Sequence, residues 1–141
     1  MKKLLLVTAL ISAVLMTGCN ETKKVIETAG TVRLTGNYTV TQITGTPLQS
    51  KDMSLSFTAL DKMVSGNSGC NTFSGNYSID VLAISVGQLM ATEAYCDEPV
   101  MNVERAFMKA LKETGSFNIE DNVLSLYSKV DRSVLLKASR K

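Results

Sequence analysis

The stretch GNSGCNTFSGNY, Gly66 to Tyr77, packs three glycines, three asparagines and a cysteine into twelve positions. Glycines at this density can cradle a phosphate, and a cysteine among them can hold a metal or do thiol chemistry. A phosphate loop needs lysine followed by Ser or Thr at the start of a helix, so that amides and an ammonium meet the anion. Here Gly69 leads into Cys70-Asn71-Thr72 and Gly75 into Asn76-Tyr77-Ser78-Ile79, a strand pattern without lysine. The chain has no histidine and three cysteines, which removes Ser-His-Asp and Cys-His catalysis and leaves an incomplete set of zinc ligands. Carboxylates at Asp80, Asp97, Glu98 and Asp121 lack calcium-loop spacing. Glu93, Asp97 and Glu98 offer an acid and base pair, but beside a helix start such charges serve as caps. The expectation is therefore a non-enzyme without cofactor or metal. Gly66, Asn67, Gly69, Asn71 and Gly75 read instead as tight bends or bulges between two strands.

The N-terminus bears on where such a loop would work. Lys2 and Lys3 precede an apolar run from Leu4 to Met16, and Thr17-Gly18-Cys19 follows. A basic start, an apolar core of about a dozen residues and small residues before a cut point make a secretory signal. Leu15-Met16-Thr17-Gly18-Cys19 resembles the bacterial lipobox, in which the cysteine is acylated and becomes the first residue. The alternative is an ordinary signal peptide with Cys19 a free thiol. Asn20 after the cysteine implies, by the Gram-negative sorting rule, an outer-membrane destination on the periplasmic side. The chain carries 15 basic and 13 acidic residues. Loss of Lys2 and Lys3 with the signal leaves a neutral domain, which argues against nucleic acid as a partner. Lipidation of Cys19 leaves Cys70 and Cys96, with one intramolecular pairing open to them in an oxidising compartment. Two buried thiols are the other reading.

The remaining sequence supplies the elements. Residues 19–33 read as the lipidated cysteine and a polar, flexible tether, and the domain as residues 34–138. Short strands are expected from Tyr38 to Ile43, Met53 to Phe57, Lys62 to Ser65, Tyr77 to Asp80, Leu82 to Val86 and Gln88 to Thr92. One helix follows within DEPVMNVERAFMKALKETG: Val100, Val103, Phe107, Ala110 and Leu111 share a face, and Asn102, Glu104, Arg105, Lys109 and Lys112 are expected to point away. Asp97 or Glu98 suits its start, Pro99 its first turn and Gly115 its end. Phe117 to Ile119, a turn at Glu120-Asp121-Asn122, Val123 to Tyr127 and Ser133 to Lys137 complete a mainly β, α+β domain.

Gly69, Cys70, Asn71, Phe73, Gly75 and Tyr77, followed by Thr92 and Cys96 and then by Glu104, Phe107 and Leu111, resemble the META domain, the family that includes the HslJ heat-shock-inducible lipoproteins. Upstream, NYTVTQITGTPL is similar to that family's opening strand and turn, with Tyr38 where tryptophan is common. TEAYC, Thr92 to Cys96, lacks the family's usual arginine and methionine neighbours. The resemblance implies a small lipocalin-like, partly open antiparallel β-barrel with one packed helix, no established enzyme activity and no common ligand. The expected role is a lipid-anchored envelope protein acting in stress tolerance or assembly through contacts with another envelope protein. The competing expectation is a small-ligand or enzyme-inhibitor barrel, motivated by Met53, Phe57, Met90, Met101, Phe107 and Met108.

Overall fold

The computed structural model describes residues 19–49, 52–80 and 83–141. The expected signal segment, residues 1–18, lies outside them. In chain order the elements are α1 (Cys19–Leu34), β1 (Gly36–Ile43), β2 (Thr46–Pro47), β3 (Ser54–Phe57), β4 (Met63–Asn67), β5 (Thr72–Asp80), β6 (Ala83–Ala91), α2 (Glu98–Glu113), β7 (Thr114–Glu120), β8 (Val123–Ser128) and β9 (Val134–Arg140).

Strand neighbours follow the chain. β2 folds back on β1, and the ladder β1-β3-β4-β5-β6-β7-β8-β9 closes through a β1–β9 pairing, making an antiparallel barrel of eight strands. Closure uses residues from both ends of the domain, Tyr38 opposite Arg140 and Ile43 opposite Leu136. Among the described residues the weakest seam joins β6 to β7, which share one residue pair, Ala83 with Ser116. α2 connects these two strands.

Period-two patterning fills the barrel. In β5 the inward positions are Phe73, Gly75, Tyr77 and Ile79, and the residues between them face out. Phe57 meets Tyr38 and Tyr77 edge-on, at 6.3 and 5.3 Å between ring centres. α2 packs against β6, β9, β1 and β8 and inserts Phe107, Ala110 and Leu111 among the core side chains. Phe107 stands edge-on to Phe73 at 5.4 Å, a geometry aromatic pairs favour beyond simple burial.

Several local expectations are corrected. The flexible tether is the helix α1, whose last turn docks on the barrel with Thr31 and Leu34 buried. At its end Arg140 Nη2 lies 2.6 Å from Arg33 O and 3.2 Å from the following Thr35 O, and the nearby Tyr38 Oη donates to Leu34 O at 2.8 Å. Thr35 adds a local cap, its N–H and Oγ1 both donating to Thr31 O. Gly66 lies inside β4 rather than in a bend, and Gly75, inside β5, stands at the register shift of the β5–β6 pairing between Gly75 and Tyr77. A Cβ on Gly66 would stand 2.0 Å from Ser54 O, and one on Gly75 would stand 2.6 Å from Gln88 O, so both are glycines of close approach. Residues 83–91 form one strand instead of two pieces. α2 ends at Thr114 in extended backbone and runs directly into β7. Gly115 therefore lies in β7, where a Cβ would meet Lys129 Cα at 2.5 Å. The turn at Asp121-Asn122 forms as expected, both residues having positive φ.

Candidate functional site

Glu104 sits on the buried face of α2, one turn before Phe107, and is 9% exposed. The expectation that it points to solvent is wrong, because the turn after β4 brings donors to it. Its Oε2 accepts from Ser68 Oγ at 2.8 Å, Asn71 N–H at 3.0 Å and Cys70 N–H at 3.3 Å, and its Oε1 accepts from Asn71 Nδ2 at 2.9 Å. Burial alone would favour the neutral acid. The Asn71 amide, the Ser68 hydroxyl and the Asn71 and Cys70 backbone N–H groups together outweigh it and hold the carboxyl below its ordinary range.

Asn71 is the hub of the arrangement. Its carbonyl accepts from Ser68 N–H at 2.8 Å and lies 2.8 Å from Ser68 Oγ, whose one proton serves Glu104. Its Nδ2 also donates to Ala94 O at 3.2 Å, and its Oδ1 accepts from Thr92 Oγ1 and Ala94 N–H, each at 2.7 Å. Every polar group of this buried residue is thus paired. Thr92 Oγ1 accepts from Thr72 N–H at 3.2 Å, while Gly69 has φ +111° and donates its N–H to Asn67 Oδ1 at 2.7 Å. A disulfide joins Cys70 to Cys96. The turn after β4, the connection between β6 and α2, and α2 itself are therefore locked to one another at one end of the barrel.

The residues singled out in the sequence separate into three groups. Gly69, Cys70, Asn71, Thr92, Cys96 and Glu104 meet in this network. Phe73, Gly75, Tyr77, Phe107 and Leu111 line the core beneath it. Tyr77 Oη donates to Thr58 O at 3.0 Å, and burial, with the Asp61 charge next, raises its phenol. Glu93, Asp97 and Glu98 remain exposed and outside the network. Asp97 precedes α2 without a side-chain capping bond, although its carbonyl accepts from Met101 N–H. Of the methionines and aromatics expected to line a pocket, Met53, Phe57 and Phe107 are buried, Met101 and Met108 half-buried, and Met90 is 68% exposed. Cys19 is the first residue of α1. Sequence reasoning missed Ser68 and the inward turn of Glu104. The available signal was position: Glu104 falls within the apolar run Val100, Val103, Phe107, Leu111 of its helix.

Chemically, the arrangement holds a carboxylate ionised and a loop rigid. It presents the segment from Glu93 to Tyr95, with Tyr95 89% exposed, on a loop fixed on either side by Asn71 and by the disulfide.

An eight-stranded antiparallel barrel closed between its first and last strands, with a helix joined to its β4–β5 turn through a buried Glu–Asn network, defines the class. The family model of the META domain matches residues 31–141, and the chain belongs to that family. No curated protein matches it. Among solved structures, the chain is similar to a protein from Burkholderia xenovorans determined by NMR, at 24% identity and TM-score 0.64, over 81% of this chain and 88% of that one. A DUF4847 family protein from Bacteroides vulgatus, seen in a crystal structure, matches at 13% identity and TM-score 0.59, over 80% of this chain and 97% of that one. These likenesses concern the fold alone.

Proposed function

We propose that the protein is a non-enzymatic lipoprotein of the outer membrane, anchored through Cys19 on the periplasmic side, that serves envelope stress tolerance or assembly by contacting another envelope protein. The observation that carries this reading is the fate of the motif residues. Glu104 and Asn71 spend their polar groups on one another and on the neighbouring loops, leaving none aimed at a substrate. What the network supports is a pre-ordered surface loop bearing Tyr95. An aromatic on a rigid loop loses little entropy on binding and is a favoured interface anchor. The lipobox resemblance supplies the compartment.

Two measurements test the proposal. Intact mass of protein extracted from its own membranes should show acyl mass on Cys19. Photocrosslinking from position 95 in those membranes should then trap a discrete protein partner. A chain without acyl mass removes the anchor, and crosslinks no different from those of a site on β8 remove the contact. Deleting the gene should also lower heat tolerance or raise envelope permeability.

A further inference from the structure

α1, β7 and the turn between β8 and β9 enclose a cleft of about 730 Å³. Three cations line it, Arg33 from α1 and Lys129 and Arg132 from the turn, together with Ser116, Asn118 and Ser128; no carboxylate lines it among the described residues. Arg33 spends one nitrogen on Ile119 O at 3.1 Å, and Lys129 Nζ lies 3.5 Å from Lys112 O. Neither contact neutralises charge. The nearby Asp131 carboxylate accepts from the N–H and hydroxyl of Ser133. Gathering three like charges in one concavity costs repulsion that an anion would relieve.

The turn is built to hold this geometry. Gly115 lets β7 approach the Lys129 backbone, Ser128 Oγ accepts from Val130 N–H at 3.1 Å, and Arg132 occupies a left-handed conformation at φ +60°. Such a conformation is uncommon for arginine.

Apolar side chains stand on both sides of these cations. Val25 and Val32, on the exposed face of α1 that also carries Lys24 and Arg33, are 67% and 62% exposed, and Val130 at the tip of the turn is 86% exposed. A free anion gives the valines no partner, whereas an amphiphile satisfies charge and valine together. We propose that this cleft receives the phosphate of an anionic lipid headgroup, seating the barrel against a bilayer with Val25, Val32 and Val130 at the headgroup boundary. α1 begins at Cys19, so this face is continuous with the segment that the proposed anchor would hold at the membrane. The inference deepens the lipoprotein reading but needs no acyl chain.

The test uses residues 19–141, which contain both helices and every strand, with Cys19→Ser to exclude the anchor. Sedimentation with vesicles of phosphatidylcholine is compared with sedimentation with vesicles containing phosphatidylglycerol. Binding is expected to the anionic vesicles alone and to weaken as salt rises. Each cation near the surface is worth about fivefold in affinity, so Arg33→Gln, Lys129→Gln and Arg132→Gln together should weaken binding about a hundredfold. The Arg33→Lys, Arg132→Lys protein should keep most of it, and Val25→Ser with Val130→Ser should weaken the part that salt leaves. Absence of wild-type binding to anionic vesicles overturns the proposal whatever the variants do. So does binding that survives the triple replacement, or retention of inorganic phosphate without vesicle binding. Because Cys19 is replaced, none of these outcomes depends on lipidation, which the intact mass reads separately.

Discussion

Replacing Glu104 by glutamine keeps the shape of the side chain but leaves one acceptor oxygen where the carboxylate has two. If that oxygen takes the Oε2 position, facing Ser68, Cys70 and Asn71, the new NH₂ faces Asn71 Nδ2, a donor; the opposite orientation sets it against three donors. The cheaper arrangement loses one charge-assisted bond and weakens three. With hydrogen bonds to charged groups worth about 1.5–3 kcal/mol each, the expected loss near neutral pH is about 3 kcal/mol. For a domain of this size that is a fall in Tm of about 10 °C. The pH dependence carries the sharper test. The native carboxyl lies below its ordinary value of 4.5, so on acidification the unfolded chain takes up the proton first. The contribution of Glu104 is complete above that value and is lost as pH falls through the lower native one. Glutamine does not titrate, so the gap between the two proteins should narrow as pH falls below 4.5 and through the lower native value. Urea titrations of both proteins across this range read it directly. Equal midpoints at neutral pH, or a gap that stays constant on acidification, would refute the account of Glu104 as a charged clamp.

Other expectations follow from the same framework. Cys70→Ser with Cys96→Ser should cost about 3–4 kcal/mol through the 26-residue separation the bridge closes, and in a double-mutant cycle it should couple to Glu104→Gln, since Cys70 N–H is one of the clamp's donors. Gly66→Ala should cost about 3 kcal/mol or abolish folding, because its methyl meets the Ser54 carbonyl. Gly45→Ala, with φ +83° but nothing within 4 Å, should cost only about 1 kcal/mol, and thermal melts would separate the two. Tyr95→Ala should leave stability within about 0.5 kcal/mol while abolishing partner capture from membranes.

The barrel was legible because its signals are local. Tyr38 and Val40 of β1 and Phe73, Tyr77 and Ile79 of β5 are buried as alternation requires, whereas Ile43 reaches the core through the register shift between Val40 and Gln42; Phe107, Ala110 and Leu111 carry the helical period into the core, while Val100 and Val103 of the same expected face stay exposed. The candidate site was legible in composition but not in geometry. Glu104 is a charged residue among apolar neighbours, and assigning charge to solvent is sound until buried donors are counted; those donors lie 33 to 36 residues earlier in the chain. Gly66 and Gly75 read as bends or bulges because glycine's freedom is a local property, while the need for a missing Cβ comes from a neighbouring strand. The docking of α1 escaped notice for the same reason, the carbonyl of Arg33 being satisfied by the distant Arg140. The cationic cleft joins Arg33 to Lys129 and Arg132, and no spacing rule spans that distance.

The pairing of β1 with β9 turns chain order into a timetable. The pairs β3–β4, β4–β5, β5–β6, β7–β8 and β8–β9 each join successive strands and can zip as soon as both partners exist. The outer edge of β1 must wait for Val134–Arg140, the strand farthest from it along the chain. Among the pairings of the barrel, circularisation therefore carries the largest loop-closure cost. Until it occurs, a nascent or C-terminally clipped chain offers an open strand to its neighbours. Loss of the last seven or eight residues should consequently produce aggregation rather than a smaller barrel.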